Sequence, residues 1–297
     1  MEDAFSPDRP GFSVQEQNQE EEISYFAEDL CVVDTDVSAV EAEVSDSLAA
    51  CFFNLDSREI LCAKNVHERL YPASTTKIMT ALLALEQDDL DAQVTVSKEA
   101  VTFQESGVSL AKLKEGDVLT LRQLLYGLLV VSGNDAANAI AEKVAGSNEE
   151  FVKMMNEKAV SLGATNTHFT NPNGLHNEEH YTTAYDLYLM FQEALKYDTF
   201  LEILEASSYD ATYMAADGTE VTASWPSSNQ FTKGDVTVPE GVAAKGGKTG
   251  TTSAAQNCLV QLFEDSAGER YVAIILGCSD RAVLYQEMQS FLSNLNN

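Results

Sequence analysis

Short apolar runs close to both ends of the chain constrain its fold more than any other feature. Near the start, two such runs surround residues 56–59, and near the end two more surround residues 264–269. Two apolar runs on either side of a polar, turn-forming segment are typical of a β-hairpin. The four runs are 49–55, 60–63, 258–263 and 271–277. Because the stretch between the hairpins is mainly helical in pattern, we expect both hairpins to join one antiparallel sheet flanked by helices, an α+β fold.

The mainly helical region, about 72–205, is expected to be inserted between these sheet segments. After Ser74 the chain is apolar on nearly every side as far as Leu85, which predicts a helix buried all round. Capping residues predict further helix starts at Thr120, Asn148 and Thr182–Thr183. The expected helices cover residues 121–131, 136–145 and 148–163, a segment after 183, and a closing amphipathic helix within 279–297. Residues 206–240 contain short strand-like pieces that the sequence does not place.

Residues 1–47 differ in composition from the rest of the chain. They contain many acidic residues and a single basic one, Arg9, without helical or strand periodicity. Such a composition is typical of a disordered leader or spacer. We therefore divide the chain into a disordered leader, 1–47, and a folded domain, 48–297.

Net charge and hydropathy exclude several classes of partner. The formal charge of −29 repels nucleic acid and anionic membrane surfaces. No apolar run reaches the roughly 20 residues that a membrane-spanning helix needs, and the N-terminus does not have the pattern of a secretory signal. The protein is therefore either cytoplasmic or a form from which a signal has been removed, and only its function decides between the two.

Neither a metal nor a cofactor is expected. The five cysteines form no C-x-x-C pair, so free buried thiols are favoured, with a contact between Cys258 and Cys278 left open. His176 to His180 match the H-x-x-E-H pattern of some zinc peptidases, but they follow a turn-forming cluster instead of lying on a helix. Gly247-Lys248-Thr249 is not a phosphate loop, since Val242 stands where that motif needs glycine.

Three short motifs carry the chemistry. Ser74-x-x-Lys77 places a hydroxyl and an amine on one helical face, where a lysine of lowered pKa can act as the base for a serine nucleophile. Ser132-Gly133-Asn134 falls on a tight turn between two helices, and Lys248-Thr249-Gly250 precedes the last hairpin. We expect both lysines to converge on one serine, where they should repel each other, which lowers the pKa of at least one.

Taken in this order, the motifs resemble those of the low-molecular-mass penicillin-binding proteins that act as serine D-alanyl-D-alanine carboxypeptidases. The residues around each motif and the segment 169–176 extend the resemblance over about residues 48–297. It implies a β-lactamase/transpeptidase-like fold, removal of the terminal D-alanine from peptidoglycan stem peptides, and acylation by β-lactams. It also implies work outside the cytoplasmic membrane, in the cell envelope or after secretion, with the signal peptide absent from this sequence.

The resemblance implies a role for each motif residue. Ser74 would be the nucleophile and Lys77 its base, while Ser132 would pass a proton toward the leaving amine. Asn134 would hold the amide of the acyl chain and fix Lys77. Lys248 would supply positive charge near the terminal carboxylate of the substrate, and the Thr249 hydroxyl would bind that carboxylate. Gly250 would let the substrate backbone lie close to its strand, and the backbone N–H groups of Ser74 and Thr251 would form the oxyanion hole.

Some features depart from that family and leave alternatives open. No arginine lies between Phe200 and Gly250 to assist carboxylate binding, so Lys245 is a possible substitute. The chain ends with the closing helix and lacks the β-rich stalk and amphipathic anchor of many relatives; unless it is truncated, we expect it to be soluble or tethered through its leader.

A serine β-lactamase is an alternative, although 166–171 lacks the glutamate that such enzymes use for deacylation. The second alternative is a non-catalytic sensor of β-lactams or peptidoglycan.

Overall fold

The computed structural model of the protein describes residues 29–40, 42–87, 89–293 and 295. Within these ranges it contains ten strands and eight α-helices. The strands are β1 (Val37–Ser38), β2 (Ala49–Asn54), β3 (Ile60–Lys64), β4 (Gln93–Thr95), β5 (Val118–Thr120), β6 (Ser208–Met214), β7 (Glu220–Pro226), β8 (Val242–Thr252), β9 (Gln256–Asp265) and β10 (Arg270–Cys278). The helices are α1 (Lys77–Leu85), α2 (Leu121–Leu129), α3 (Asn134–Ala145), α4 (Asn148–Ser161), α5 (Ala184–Ala194), α6 (Asp198–Glu205), α7 (Gln230–Lys233) and α8 (Arg281–Leu292).

The main sheet joins the two ends of the chain, as predicted. Its six antiparallel strands are ordered β1-β3-β2-β10-β9-β8. The N-terminal and C-terminal hairpins meet where β2 pairs with β10, with Phe53 opposite Val272. Because neighbouring side chains of a strand point to opposite faces, Phe52 packs on Phe291 of α8, and Phe53 packs on Tyr188 of α5. The sheet is therefore covered by helices on both faces, and the α+β prediction is confirmed.

Helix α1 lies at the centre of the inserted helical region. All nine of its residues are buried, including Lys77, which agrees with a helix predicted to be apolar on every side. It packs against α2, α3, α4 and α5. A helix enclosed in this way is a rigid support for the residues at its start.

The segment that the sequence could not place contributes two strands to a second, smaller sheet. Strands β6 and β7 make a hairpin with Tyr213 opposite Val221, and the sheet order is β4-β5-β6-β7. Trp225 of β7 is buried, and its indole N–H donates to the carbonyl of Ala111 at 3.0 Å. This contact ties the small sheet to the loop that precedes β5.

Helix starts follow the predicted caps with two differences, and α2 and α4 each end two residues before the predicted end. Thr120 caps α2 and the Thr183 side chain caps α5, both as expected, and Thr120 also forms a complete capping box with Gln123. Helix α4 is capped by Ser147 instead of Asn148, since the serine hydroxyl reaches the backbone N–H of Glu150. Helix α3 begins at Asn134, two residues before the predicted start at 136.

Part of the expected leader belongs to the folded domain. Residues 1–28 lie outside the described residues, but Cys31 is buried, and its backbone N–H donates to the Tyr188 hydroxyl at 2.8 Å. Val37 and Ser38 pair with β3 at one edge of the main sheet. The expectation of disorder up to residue 47 is thus wrong for this part of the segment, because its few apolar residues find partners that are distant in sequence.

Two further observations concern the cysteines and the helices. All five cysteines are buried and free, so Cys258 and Cys278 are not joined. Among the described residues, no helix has both the length and the apolar character needed to cross a membrane.

Candidate active site

Ser74 lies in a 3-10 turn, Ala73–Thr76, directly before α1. The backbone N–H and the hydroxyl of Thr75 both donate to the carbonyl of Pro72, at 3.2 and 2.7 Å, and so close the turn. Ala73 has a φ of +48°, which is uncommon for a residue other than glycine. Strained backbone of this kind recurs at functional sites, where the surrounding structure holds it in place.

The loop 171–176 packs directly against this turn. A Cβ atom on Gly174 would lie only 2.0 Å from the carbonyl oxygen of Ala73, so glycine is needed there. The hydroxyl of Thr80 on α1 donates to the carbonyl of Pro172 at 2.6 Å. The loop is thereby fixed against both the turn and the helix.

The amine of Lys77 is buried among three oxygen atoms. Its Nζ lies 2.9 Å from Oγ of Ser74, 2.7 Å from Oδ1 of Asn134 and 2.6 Å from the carbonyl oxygen of Asn173. The side chain has no exposed surface. Because Lys77 follows Ser74 by three positions across the turn, the predicted serine–lysine contact is present.

Ser132 lies on the turn between α2 and α3 and has a φ of +64°. The next helix begins at Asn134, which directs its side chain to Lys77. Asp135 anchors this turn, since its buried carboxylate accepts the backbone N–H groups of Ala111 and Leu113 at 2.8 and 3.0 Å. Burial nevertheless raises the pKa of Asp135.

The third motif lies on β8, the edge strand of the main sheet. The Nζ of Lys248, also fully buried, is 2.8 Å from Oγ of Ser132. The hydroxyl of Thr249 is 2.8 Å from that of Ser228. A Cβ atom on Gly250 would lie 2.8 Å from the carbonyl oxygen of Pro72 and 3.1 Å from the backbone nitrogen of Ser74. Glycine is therefore required at 250 because β8 packs against the turn that carries Ser74, a reason that the sequence did not suggest.

Both buried lysines have lowered pKa values. The prediction attributed this to repulsion between the two amines, whereas burial is the larger cause. Burial is the main cause of the low pKa of Lys77, and the positive charge of Lys248 is the second cause. Burial alone lowers the pKa of Lys248 to about 7. The two amines also contact different serines, not a single one. Near neutral pH, Lys77 can therefore be uncharged and act as a base.

These residues surround a cleft of about 390 Å³, which we call the catalytic cleft. Ser74, Asn134 and Thr251 line it together with loop residues that include Glu105 and Leu175. Ser132 and Lys248 join the group through their contacts beneath the cleft, and Gly250 lies against the Ser74 turn. The structure thus brings all eight predicted site residues into one region.

Three further residues belong to this region and were not found from the sequence. Asn173 contributes a backbone carbonyl to Lys77, and Ser228 contributes a hydroxyl to Thr249. Arg281, the exposed first residue of α8, lines a small recess with Thr249 and Thr251.

Arg281 lies beyond Gly250, outside the stretch in which a basic residue was expected. Lys245, the suggested substitute, forms an ion pair with Glu205 at 2.7 Å.

The two histidines of the H-x-x-E-H match contact different parts of the structure. His176 packs edge-on against Tyr71, and His180 is buried between Thr76 and Thr170, with Nε2 2.8 Å from the Thr76 hydroxyl. Burial lowers the pKa of His180 to about 3. Among the described residues, no group of three or more histidine, cysteine or acidic side chains is placed to hold a metal ion.

Comparisons with known proteins agree on one family. The profile of the peptidase S11 family, described as D-alanyl-D-alanine carboxypeptidase, matches residues 36–280. The carboxypeptidase DacF of Bacillus subtilis is 44% identical over 156 residues, which are 51% of this chain and 39% of DacF. DacB2 of Mycobacterium tuberculosis is 34% identical over 75% of this chain and 72% of its own length. DacC of Escherichia coli is 33% identical over 86% of this chain and 62% of its own length.

Solved structures give the same result. The DD-transpeptidase of Streptomyces K15 superposes with a TM-score of 0.79 at 30% identity and covers 86% of this chain and 98% of its own. The chain spans less than two thirds of the length of DacF and DacC.

Proposed function

Because this chain belongs to the peptidase S11 family of D-alanyl-D-alanine carboxypeptidases, we propose that it removes the terminal D-alanine from peptidoglycan stem peptides through an acyl-enzyme on Ser74. One observation carries the proposal above the others. The fully buried amine of Lys77, with its lowered pKa, lies 2.9 Å from the hydroxyl oxygen of Ser74 at the wall of an open cleft.

Acylation begins when the neutral amine of Lys77 accepts the hydroxyl proton of Ser74. The serine oxygen then attacks the carbonyl carbon between the two D-alanines and forms a tetrahedral oxyanion. The backbone N–H groups of Ser74 and Thr251 stabilise this negative charge. Ser132 passes a proton to the amine of the leaving D-alanine and is reprotonated from Lys248, 2.8 Å away. The peptide C–N bond breaks, and the rest of the stem remains esterified to Ser74.

Deacylation uses the same groups with water in place of D-alanine. A base removes one proton from the water, whose oxygen attacks the ester carbonyl. The C–O bond to Ser74 breaks, and the serine oxygen recovers its proton. The shortened peptide leaves with a new carboxylate. A β-lactam enters the same sequence at the first step, since opening of its ring also acylates Ser74.

Positive charge at one end of the cleft supports recognition of the terminal carboxylate. Lys248 lies buried behind this end, with its amine 2.9 Å from the carbonyl oxygen of Thr249, and Ser228 bonds to the Thr249 hydroxyl. Arg281 shares a recess with Thr249 and Thr251 and adds a guanidinium group, which binds carboxylates well. Arg281 therefore takes the role that the sequence suggested for Lys245.

The substrate also sets the place of action. Peptidoglycan stem peptides lie outside the cytoplasmic membrane, so we place the enzyme in the cell envelope or outside the cell. No observation favours a β-lactamase or a sensor over the carboxypeptidase.

Release of D-alanine from diacetyl-L-Lys-D-Ala-D-Ala by the purified protein tests the proposal. We expect turnover of this peptide together with slow, near-stoichiometric consumption of nitrocefin. Rapid, sustained nitrocefin turnover would contradict the carboxypeptidase and favour a β-lactamase. Penicillin labelling without any D-alanine release would favour the sensor.

A further inference from the structure

A second cavity, which we call the side cavity, adjoins the catalytic cleft. Its volume is about 580 Å³, within the range of roughly 300–1,000 Å³ that small-ligand pockets have. Three residues, Glu105, Asn173 and Leu175, line both cavities. The two cavities therefore meet along a shared wall and can receive different parts of one extended ligand.

The orientation of the proposed substrate determines which part reaches the side cavity. Thr249 and Arg281 lie at the end that takes the terminal carboxylate. Asn134, the proposed partner of the acyl-chain amide, lines the catalytic cleft together with Glu105 and Leu175. The acyl portion of the peptide therefore leaves the reaction centre on the side where the two cavities meet.

The lining of the side cavity suits a peptide segment. The side-chain amides of Asn138, Asn171 and Asn173 are engaged with one another and with nearby backbone groups, and so they fix this wall of the cavity. Asn148 also lines the cavity, and its amide oxygen has no hydrogen-bond partner among the described residues, so it can accept a peptide N–H. Phe103, Pro172 and Leu175 bring apolar surface for aliphatic side-chain carbons. A peptide carries both kinds of group at close spacing.

The charges around the side cavity favour a cation. Its charged lining residues are Glu105, Glu149 and Lys153. The amine of Lys153 is already engaged by Glu150, at 2.5 Å. Negative charge therefore predominates, and Glu105 lies at the junction with the catalytic cleft. A primary amine on the ligand complements this arrangement.

We propose that the side cavity binds the part of the stem peptide that precedes the two D-alanines, and that Glu105 favours stems whose adjoining residue carries a free side-chain amine. This inference rests on the proposed carboxypeptidase function. It makes uncrosslinked stems the preferred substrates, because a crosslink turns that amine into a neutral amide and attaches a second chain to it.

Two peptides that differ in one group provide the test. Nα-acetyl-L-Lys-D-Ala-D-Ala has a free side-chain amine, whereas the diacetyl peptide has that amine blocked. We expect kcat/KM for the free amine to be about 2- to 5-fold higher, as suits one solvent-exposed ion pair, and the ratio to fall as salt concentration rises. In Glu105→Gln the ratio should fall to about one. Glu115→Gln removes the same charge from an exposed loop position outside the two cavities and should keep the wild-type ratio.

The outcomes separate this inference from the proposed function. Equal rates on the two peptides in the wild type, or an unchanged ratio in Glu105→Gln, would overturn the role of Glu105. A uniform loss of rate in that variant, with the ratio kept, would count against it as well, since a structural defect affects both peptides equally. If neither peptide releases D-alanine, the carboxypeptidase proposal fails instead.

Discussion

The amine nitrogen of Lys248 lies 2.8 Å from the hydroxyl oxygen of Ser132, and both side chains are buried. This pair stands beside a second one, Lys77 and Ser74, at 2.9 Å. The two lysines are close enough for the charge of Lys248 to lower the pKa of Lys77. One lysine can therefore work as a neutral base while the other supplies a proton and a positive charge.

The pKa of Lys248 should set the alkaline side of the pH dependence. Burial lowers it to about 7, and carboxylate binding needs the charged form. We therefore expect kcat/KM for D-alanine release to fall as pH rises through about 7. In Lys248→Arg this limb should disappear, even at a lower absolute rate, because arginine stays charged. An unchanged alkaline limb in that variant would assign the limb to another group.

Lys248 should also reduce the stability of the fold at low and neutral pH. An unfolded lysine holds its proton up to about pH 10.4, whereas Lys248 in the folded chain loses its proton near 7. Between these values the unfolded state binds more protons, so stability rises with pH across this window. At pH 6, where the buried amine is charged, Lys248→Met should increase the free energy of unfolding by about 1–3 kcal/mol.

Urea unfolding at pH 6 and pH 9 measures this difference. The advantage of Lys248→Met over the wild type should shrink at the higher pH, where the buried amine is already neutral. An advantage that grows with pH would mean that burial of Lys248 does not favour its neutral form.

A substitution at Asn134 should shift the acid limb of the pH dependence of kcat/KM. Its Oδ1 lies 2.7 Å from the amine of Lys77. In Asn134→Asp a carboxylate takes this place and raises the pKa of Lys77, so the neutral base is scarcer at low pH. The acid limb of kcat/KM should move to higher pH by about one unit or more. Asn134→Ala is the matched control and should lose rate without an upward shift.

Gly250 should be sensitive to the addition of a single methyl group. A Cβ atom there would lie 2.8 Å from the carbonyl of Pro72, so Gly250→Ala must displace the Ser74 turn. We expect penicillin acylation to slow by about 100-fold, since a misplacement of about 1 Å can cost that much. In Gly268→Ala the added methyl group meets no atom within 4 Å, and the strain from a φ of +84° falls on a turn outside the active site, so acylation should be normal. Stopped-flow fluorescence measures the acylation rate, and a normal rate in Gly250→Ala would show that the contact is unimportant.

Local signals in the sequence were enough for most of the architecture. The two hairpins, the helix cap at Thr120 and the start of α5 all depend on neighbouring residues, and all are confirmed. The resemblance drawn from the three motifs is confirmed by the family match. The strands β6 and β7 were not assigned, because their residues alternate between exposed positions and buried or partly buried ones without forming an apolar run.

Only the site residues that belong to a short sequence motif could be predicted from the sequence. Asn173 binds Lys77 through its backbone carbonyl, which any residue type would supply. Arg281 reaches the site from a helix beyond the last hairpin, so its position depends on how the sheet and α8 pack together. Cys31 is buried by contacts with Asn54 and Tyr188, which the acidic composition around it gave no reason to expect.

The identity of the nucleophile is tested most directly by mass spectrometry of the protein after reaction with penicillin. We predict a single adduct, located by peptide mapping on Ser74, and none in Ser74→Ala, with the variant unfolding as cooperatively as the wild type. An adduct on another residue, or labelling of Ser74→Ala at the wild-type rate, would contradict the assignment of Ser74 and Lys77 as nucleophile and base.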